Sequence, residues 1–214
     1  MAAWRRVYER CLLVEDIYPK LTRRFVDEPV TTFAELGGGR GPMTAILVEL
    51  GVRSWVVDLD PQMIAESAGP CVRADLVALP LRDGCVGGAS AVNCLYFLDD
   101  PRVALREAKR VVRPGGLFVA SAPSRFNDPE LEGINPEWGA PSPFDSEDAP
   151  ALVAEVFGEV EVEPWEIVAY RLPDRPAIAD YLHAVGVPDH DAAAGTITPP
   201  LSITKLGAEV WARA

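Results

Sequence analysis

The clearest chemistry in this 214-residue chain lies in the run Glu35-Leu36-Gly37-Gly38-Gly39-Arg40-Gly41, an acid followed by glycines at alternate positions. Glycines let the backbone take unusual φ values and let a ligand approach the main chain closely. A carboxylate at the mouth of such a loop suits a ligand carrying an ammonium group and would repel a pyrophosphate. The dinucleotide fingerprint requires G-x-G-x-x-G. Counted from Gly37, its third glycine position holds Pro42, and counted from Gly39 it holds Thr44. NAD is therefore disfavoured. Taken alone, the stretch could also be a glycine-rich turn with no ligand.

Stepping outward, Phe33 begins a strand, and Met43, Ile46, Leu47 and Leu50 recur with helical spacing after Pro42. Proline suits a first helical position, where a missing N–H costs nothing. Strand, glycine turn and helix make half of a nucleotide-binding βαβ unit. The second strand, Ser54 to Asp58, ends in an acid, and Asp60 is placed to N-cap a helix begun by Pro61. An acid about twenty residues after the glycines can accept hydrogen bonds from both ribose hydroxyls. Cys71 to Ala74 reads as a third strand and Val86 to Asn93 as a fourth. Asn93 stands at a carboxyl strand end, where open α/β sheets bind ligands. Tyr96 and Phe97 could face a substrate or be ordinary core aromatics, and core is the safer reading.

Three of these runs resemble motifs of the class I S-adenosylmethionine-dependent methyltransferases. Glu35 to Gly41 is similar to the first motif, and Val57-Asp58-Leu59-Asp60-Pro61-Gln62-Met63 to the second. Asp75-Leu76-Val77-Ala78-Leu79-Pro80-Leu81-Arg82-Asp83 resembles the family's Asp-Ala-x-x-Leu-Pro-Phe-x-Asp pattern, and Arg110 to Gly116 its signature before strand five. The resemblance implies S-adenosylmethionine as cofactor, with S-adenosylhomocysteine as product. It implies contacts from Glu35, Gly37, Gly38, Gly39 and Asn93, with Asp58 on the ribose. Leu59 and Met63 would pack near the adenine, and Asp75 would accept from its amino group with the Leu76 backbone nearby. Arg40, between the last two glycines, departs from the family, where small or uncharged residues are commoner. The specific motifs cover about residues 30 to 122; the remainder is similar by architecture.

The implied fold is α/β: a doubly wound, mostly parallel seven-stranded sheet with a C-terminal antiparallel hairpin and helices on both faces. We expect a single domain over 1–214, with an N-terminal helical cap at 1–29, a cofactor-binding core at 30–122, a lid-like loop at 123–144 and the C-terminal part of the sheet at 145–214. A helix capped by Asp145 or Ser146 should end at Gly158, and Glu159 to Leu172 should form a strand broken near Pro164. Arg102, Arg106, Lys109, Arg110 and Arg113 form a basic stripe that reads as a solvated helix face.

The net charge of −12 disfavours non-specific nucleic-acid binding and docking on anionic membranes. Four cysteines without regular spacing, no signal-peptide pattern and no span-length apolar run predict a cytoplasmic protein. The acceptor should then be a small molecule. Tyr18 in the N-terminal segment and Arg125 and Trp138 in the proline-rich stretch are its candidate contacts. No catalytic base is assigned, because His183 and His190 sit in unremarkable surroundings, and Asp189-His190-Asp191 is poor evidence for a metal. A module that holds the cofactor without turnover is the main alternative. Asp58→Ala is expected to weaken cofactor binding with little change in apo melting. Deleting the first 28 residues is expected to abolish transfer, and Tyr18→Ala to impair it.

Overall fold

The computed structural model describes residues 2–67 and 69–214. In chain order its elements are α1 (Ala2–Arg10), β1 (Leu12–Leu13), α2 (Tyr18–Asp27), β2 (Thr32–Leu36), α3 (Pro42–Glu49), β3 (Arg53–Asp58), α4 (Pro61–Ala65), β4 (Cys71–Arg73) and β5 (Val86–Val92). There follow α5 (Pro101–Val111), β6 (Val112–Pro123), α6 (Ala149–Phe157), β7 (Val160–Leu172), α7 (Arg175–Ala184), α8 (His190–Thr196) and β8 (Leu201–Arg213). One sheet runs β1-β7-β8-β6-β5-β2-β3-β4. Pairing is parallel from β6 through β5, β2 and β3 to β4, and antiparallel between β6 and β8 and between β1 and β7.

The expected seven strands are thus joined by an eighth. Residues 1–29 are not continuous helix: Cys11-Leu12-Leu13-Val14 is an apolar run without helical period, and its middle pairs with Arg171 and Tyr170 of β7. Two further expectations change. β7 is continuous through Pro164, and α6 starts at Ala149 rather than beside Asp145. Asp145 accepts instead from the N–H groups of Ser142 and Asp148, shaping the turn before the helix.

The chain divides into two compact units. The larger comprises Ile17–Ser124, Pro141–Pro164 and Gly207–Ala214. Its central strand β5, Val-Gly-Gly-Ala-Ser-Ala-Val, is buried throughout, as a strand flanked on both edges and covered on both faces must be. Small residues there admit large neighbours. A Cβ on Gly88 would stand 2.9 Å from the Phe25 ring, which lies edge-on to Phe33 at 4.7 Å and tilted to Trp211 at 5.4 Å. On the other face Phe118 and Phe157 stack at 4.7 Å.

The basic stripe of α5 is not a bare solvated face. Arg102 pairs with Glu155 of α6 at 2.5 Å, and the Lys109 ammonium donates to the Val156 carbonyl at 2.8 Å. Arg110 donates to Asp83, to Glu107 and to the carbonyls of Leu79 and Leu81, so it fastens the turn after β4 to the helix.

The smaller unit comprises Met1–Asp16, Arg125–Ala140 and Trp165–Leu206. Val7, Leu131, Leu172, Ile178, Tyr181, Leu182 and Ile203 are buried together. The stretch expected as a lid is fastened here by its own polar side chains. Asn127 accepts the Leu206 N–H, and Glu130 accepts the Thr204 N–H. Asp128 accepts from the Tyr181 hydroxyl at 2.9 Å and pairs with the Lys205 ammonium at 2.6 Å. Burial holds the Lys205 ammonium below its usual range, while Asp128 offsets part of that. His190 opens α8, with its ring 4.5 Å from that of His183. Among the described residues no helix is long and apolar enough to cross a membrane.

Removing residues 1–28 would strip Leu21 and Phe25, both fully buried, so the truncation tests folding rather than the place of an acceptor. Phe25→Ala should lower unfolding free energy by about 3–5 kcal/mol. Val26→Ala, one residue on and 42% exposed, should stay within about 0.5 kcal/mol. Urea unfolding of the two variants checks this; similar costs would contradict the placement of α2.

Candidate cofactor site

The site is built at the carboxyl ends of β2, β3 and β5 in the larger unit. Helix α3 begins with two deficits: its N-cap is Gly41, which has no side chain, and Pro42 has no N–H. The next two N–H groups, of Met43 and Thr44, donate to Glu35 Oε1 and Oε2 at 3.1 and 2.7 Å. Glu35 is 2% exposed, and burial raises its carboxyl above the usual carboxylate range, with the Thr44 and Met43 hydrogen bonds opposing. The acid read as a partner for a cationic ligand is therefore turned onto the helix start. A negative charge at a helix N-terminus is favoured by the unpaired N–H groups and the macrodipole.

Two glycines in the loop are required by shape. At Gly37, φ is +62° and a Cβ would lie 2.6 Å from the Cys94 Cβ. At Gly41, φ is +75° and a Cβ would lie 2.5 Å from Val56 Cγ2. The Gly37 N–H donates to the Val57 carbonyl at 2.7 Å, stitching the loop to β3.

Asp58 ends β3. Its Oδ2 accepts the Gly39 N–H at 2.8 Å and its Oδ1 the Asp60 N–H at 2.9 Å. The side chain thus joins the glycine loop to the start of α4, where Asp60 caps through the Gln62 N–H at 2.8 Å. Apo stability should consequently fall in Asp58→Ala, contrary to the expectation from sequence, because two charge-assisted bonds are lost. Met63 is half-buried, with its sulfur 3.6 Å from where a Gly39 Cβ would stand. Leu59 is exposed. Asp75 is exposed at the end of the β4 segment and accepts the Val77 N–H at 3.1 Å. Leu76 is half-buried and comes within 3.3 Å of a Cβ built on Gly37. Asn93 adopts φ 53°, its N–H donates to the Ser121 carbonyl at 3.0 Å, and its Oδ1 is buried without a partner.

The structure thus brings Glu35, the glycines, Asp58, Met63 and Leu76 around one loop, with Asn93 beside Cys94 at the next strand end. Sequence reading missed Cys94 and Glu107. The Cys94 thiol donates to the Leu36 carbonyl at 3.3 Å, and burial raises its pKa. Glu107 accepts the Leu79 N–H at 2.7 Å, completing the Arg110 anchor on the turn after Asp75. Phe97 is not a core residue, being 78% exposed beside Tyr96. It follows a strand end, where the chain turns outward.

The candidate acceptor contacts fall in different units. Tyr18 is the first residue of α2 in the larger unit and half-buried, and its carbonyl accepts the Thr22 hydroxyl at 2.9 Å. Arg125 and Trp138 are in the smaller unit, where the Gly139 N–H donates to the Arg125 carbonyl at 2.9 Å. The Trp138 ring meets Phe126 edge-on at 5.3 Å, and its indole N–H is buried without a partner.

Residues 34–120 match the family described as a methyltransferase domain. An uncharacterised methyltransferase of Mycobacterium sp. (strain JLS) is 35% identical over 95 residues, covering 42% of this chain and 38% of that relative. The chain thus matches well under half the length of such curated relatives. A solved S-adenosylmethionine-dependent methyltransferase from Thermotoga maritima, described as a possible histamine N-methyltransferase, has a TM-score of 0.61 at 17% identity, over 98% of this chain and 92% of that one. The [4+2]-cyclase SpnF has a TM-score of 0.64 at 17% identity, over 92% and 80%. The chain has the class I methyltransferase fold, and the family match falls on the strands and loops that build the site.

Glu35 yields a test of the site's electrostatics. A carboxyl raised by burial adds stability that is full below its unfolded pKa and is lost as pH rises through the folded one. The margin of wild type over Glu35→Gln in urea unfolding should therefore be smaller at about pH 8 than at about pH 5. A margin that grows with pH would mean the helix N–H groups outweigh burial.

Proposed function

We propose that the chain is an S-adenosylmethionine-dependent methyltransferase acting on a small-molecule acceptor. The observation that carries this reading is the joint use of Asp58 and the glycine loop. Its two oxygens each take one main-chain N–H, which leaves a lone pair on each for a ribose hydroxyl. The buried Oδ1 of Asn93 is an acceptor without a partner, suited to a cationic ammonium. Glu35 supplies negative charge beneath the same loop while holding α3 in place. Met63 and Leu76 offer apolar contact for an adenine, with Asp75 in reach of polar edges. These residues fit an adenosyl sulfonium and offer nothing to a pyrophosphate. When bound, S-adenosylmethionine supplies a methyl group activated for in-line displacement. The chain's own residues bind and orient it, and positioning supplies much of the rate of such a reaction.

For the acceptor, the net charge of −12 favours a small metabolite over nucleic acid. Tyr18, Arg125 and Trp138 are its proposed contacts, and cysteine usage supports a cytoplasmic setting. A second reading, a domain that holds the cofactor without methyl transfer, draws on the cyclase that shares this fold.

Three outcomes check the proposal. Calorimetry should detect S-adenosylmethionine and S-adenosylhomocysteine and no NAD; tighter binding of NAD would end it. Asp58→Ala should weaken cofactor affinity at least about tenfold and also lower apo melting, whereas unchanged affinity would leave Asp58 a turn residue only. Incubation with labelled cofactor and a metabolite panel should transfer label. Tyr18→Ala should then slow transfer while cofactor affinity is kept. Binding without label transfer to any acceptor would favour the second reading.

A further inference from the structure

Helix α4 brings Met63 to the cofactor site, yet none of its five residues is buried. Met63 and Ile64 are half-buried, and Pro61, Gln62 and Ala65 are exposed. So short a helix with so little core contact has little stability of its own. Its place is set by polar ties to the glycine loop. At its start, Asp58 accepts the Gly39 and Asp60 N–H groups at 2.8 and 2.9 Å. At its end, Glu66 is the C-cap, and its N–H donates to the Gln62 and Met63 carbonyls at 3.3 and 3.1 Å. The Glu66 carboxylate in turn accepts from Arg40 of the loop, with Oε2 2.8 Å from Nε and 2.7 Å from Nη2. A Cβ on Gly41 would stand 3.2 Å from Ser67 Oγ, so the end of α4 abuts the last glycine. The loop thus grips α4 at both ends.

Arg40 is the one charged residue in the run from Gly37 to Gly41, and none of the cofactor contacts proposed above uses it. We propose that Arg40 and Glu66 latch α4 against the glycine loop, and so position Met63 and set how long the cofactor stays bound. The proposal rests on the cofactor reading above. A cofactor with its ribose on Asp58 and its adenine against Met63 is held between the loop and α4. With the far tie cut, α4 stays fastened at Asp58 and opens at its other end. The pair is 44 and 46% exposed on its two sides, so it adds little to the stability of the whole fold. Its effect falls on a segment with little other support, where a small free energy decides the closed population. Arg40 and Glu66 are therefore positioning residues that act through α4 and Met63.

Calorimetry and stopped-flow release of S-adenosylhomocysteine from the full chain test this, with hydrogen exchange of the α4 amides followed in the free protein. Arg40→Gln and Glu66→Gln should each weaken binding about three- to fivefold, through faster release. The double variant should be no worse than either single one, because both remove the same pair. The charge swap of Arg40→Glu with Glu66→Arg should recover most of the loss. In the free protein the Ile64 and Glu66 amides, which close α4, should exchange faster in both single variants, while Val56 in β3 stays protected and global melting hardly moves. Arg102→Gln cuts a similarly exposed pair on α5 and should leave binding and α4 exchange unchanged. Single variants that bind and release like wild type, or α4 exchange indifferent to both, would overturn the latch. A wild type that does not bind S-adenosylhomocysteine would instead overturn the cofactor reading, and the latch's part with it.

Discussion

The carboxylate of Glu35, turned back onto the Met43 and Thr44 N–H groups, is the contact on which the site depends. A glycine N-cap and a proline at the first helical position leave α3 with no local cap. Both choices serve the loop: Gly41 must adopt φ +75° beside Val56, and proline sets the helix direction at once. The cap must then come from elsewhere, and Glu35 near the end of β2 supplies it. Burying that acid lifts its pKa, so the loop is held by a group under electrostatic tension. Asp58 repeats the arrangement one strand away, tying Gly39 to the start of α4. Two acids at adjacent strand ends thus hold the glycine loop from both sides.

The rest of the larger unit keeps those strand ends in register. β5 is short-sided and fully buried, which lets Phe25 approach Gly88 and lets the parallel strands lie close under α2. On the other face Arg110 and Glu107 hold the turn at 79–83, and that turn follows directly on Asp75 and Leu76. Long side chains on α5 that sequence alone assigns to solvent are used for this internal anchoring. In the smaller unit Lys205, with the buried Asp128 and Tyr181, fastens the 125–140 stretch to β8 and α7. Pro129 and Pro136 interrupt that stretch, and its order comes from side chains reaching distant main chain.

Local pattern made the strands β2 to β5, the helix α3 and the loop between them legible, because glycines, prolines and acids at element ends have direct conformational meaning. The places of Asp58 and of the Asp60 cap followed from the same logic. What stayed hidden depends on contacts distant in sequence. Leu12–Leu13 became a strand only because Tyr170 and Arg171 offer an edge. Arg110 found Asp83, and Asn127 found Leu206, across long separations. Phe97 read as core because aromatic residues usually are, yet its position just past a strand end leaves it exposed. The orientation of Glu35 was also hidden: its residue type fits a ligand and a helix cap equally well.

Fold likeness at 17% identity establishes architecture, and a cyclase shares it, so the cofactor site must carry the functional claim by itself. That claim is that the loop between β2 and α3 holds an adenosyl sulfonium cofactor. The most direct measurement is amide NMR of the chain titrated with S-adenosylhomocysteine. Saturable shifts are expected at Gly37, Gly39, Asp58, Asp75 and Asn93, with little change at β1. Saturation without any shift at Gly37, Gly39 and Asp58, or shifts confined to the smaller unit, would contradict it.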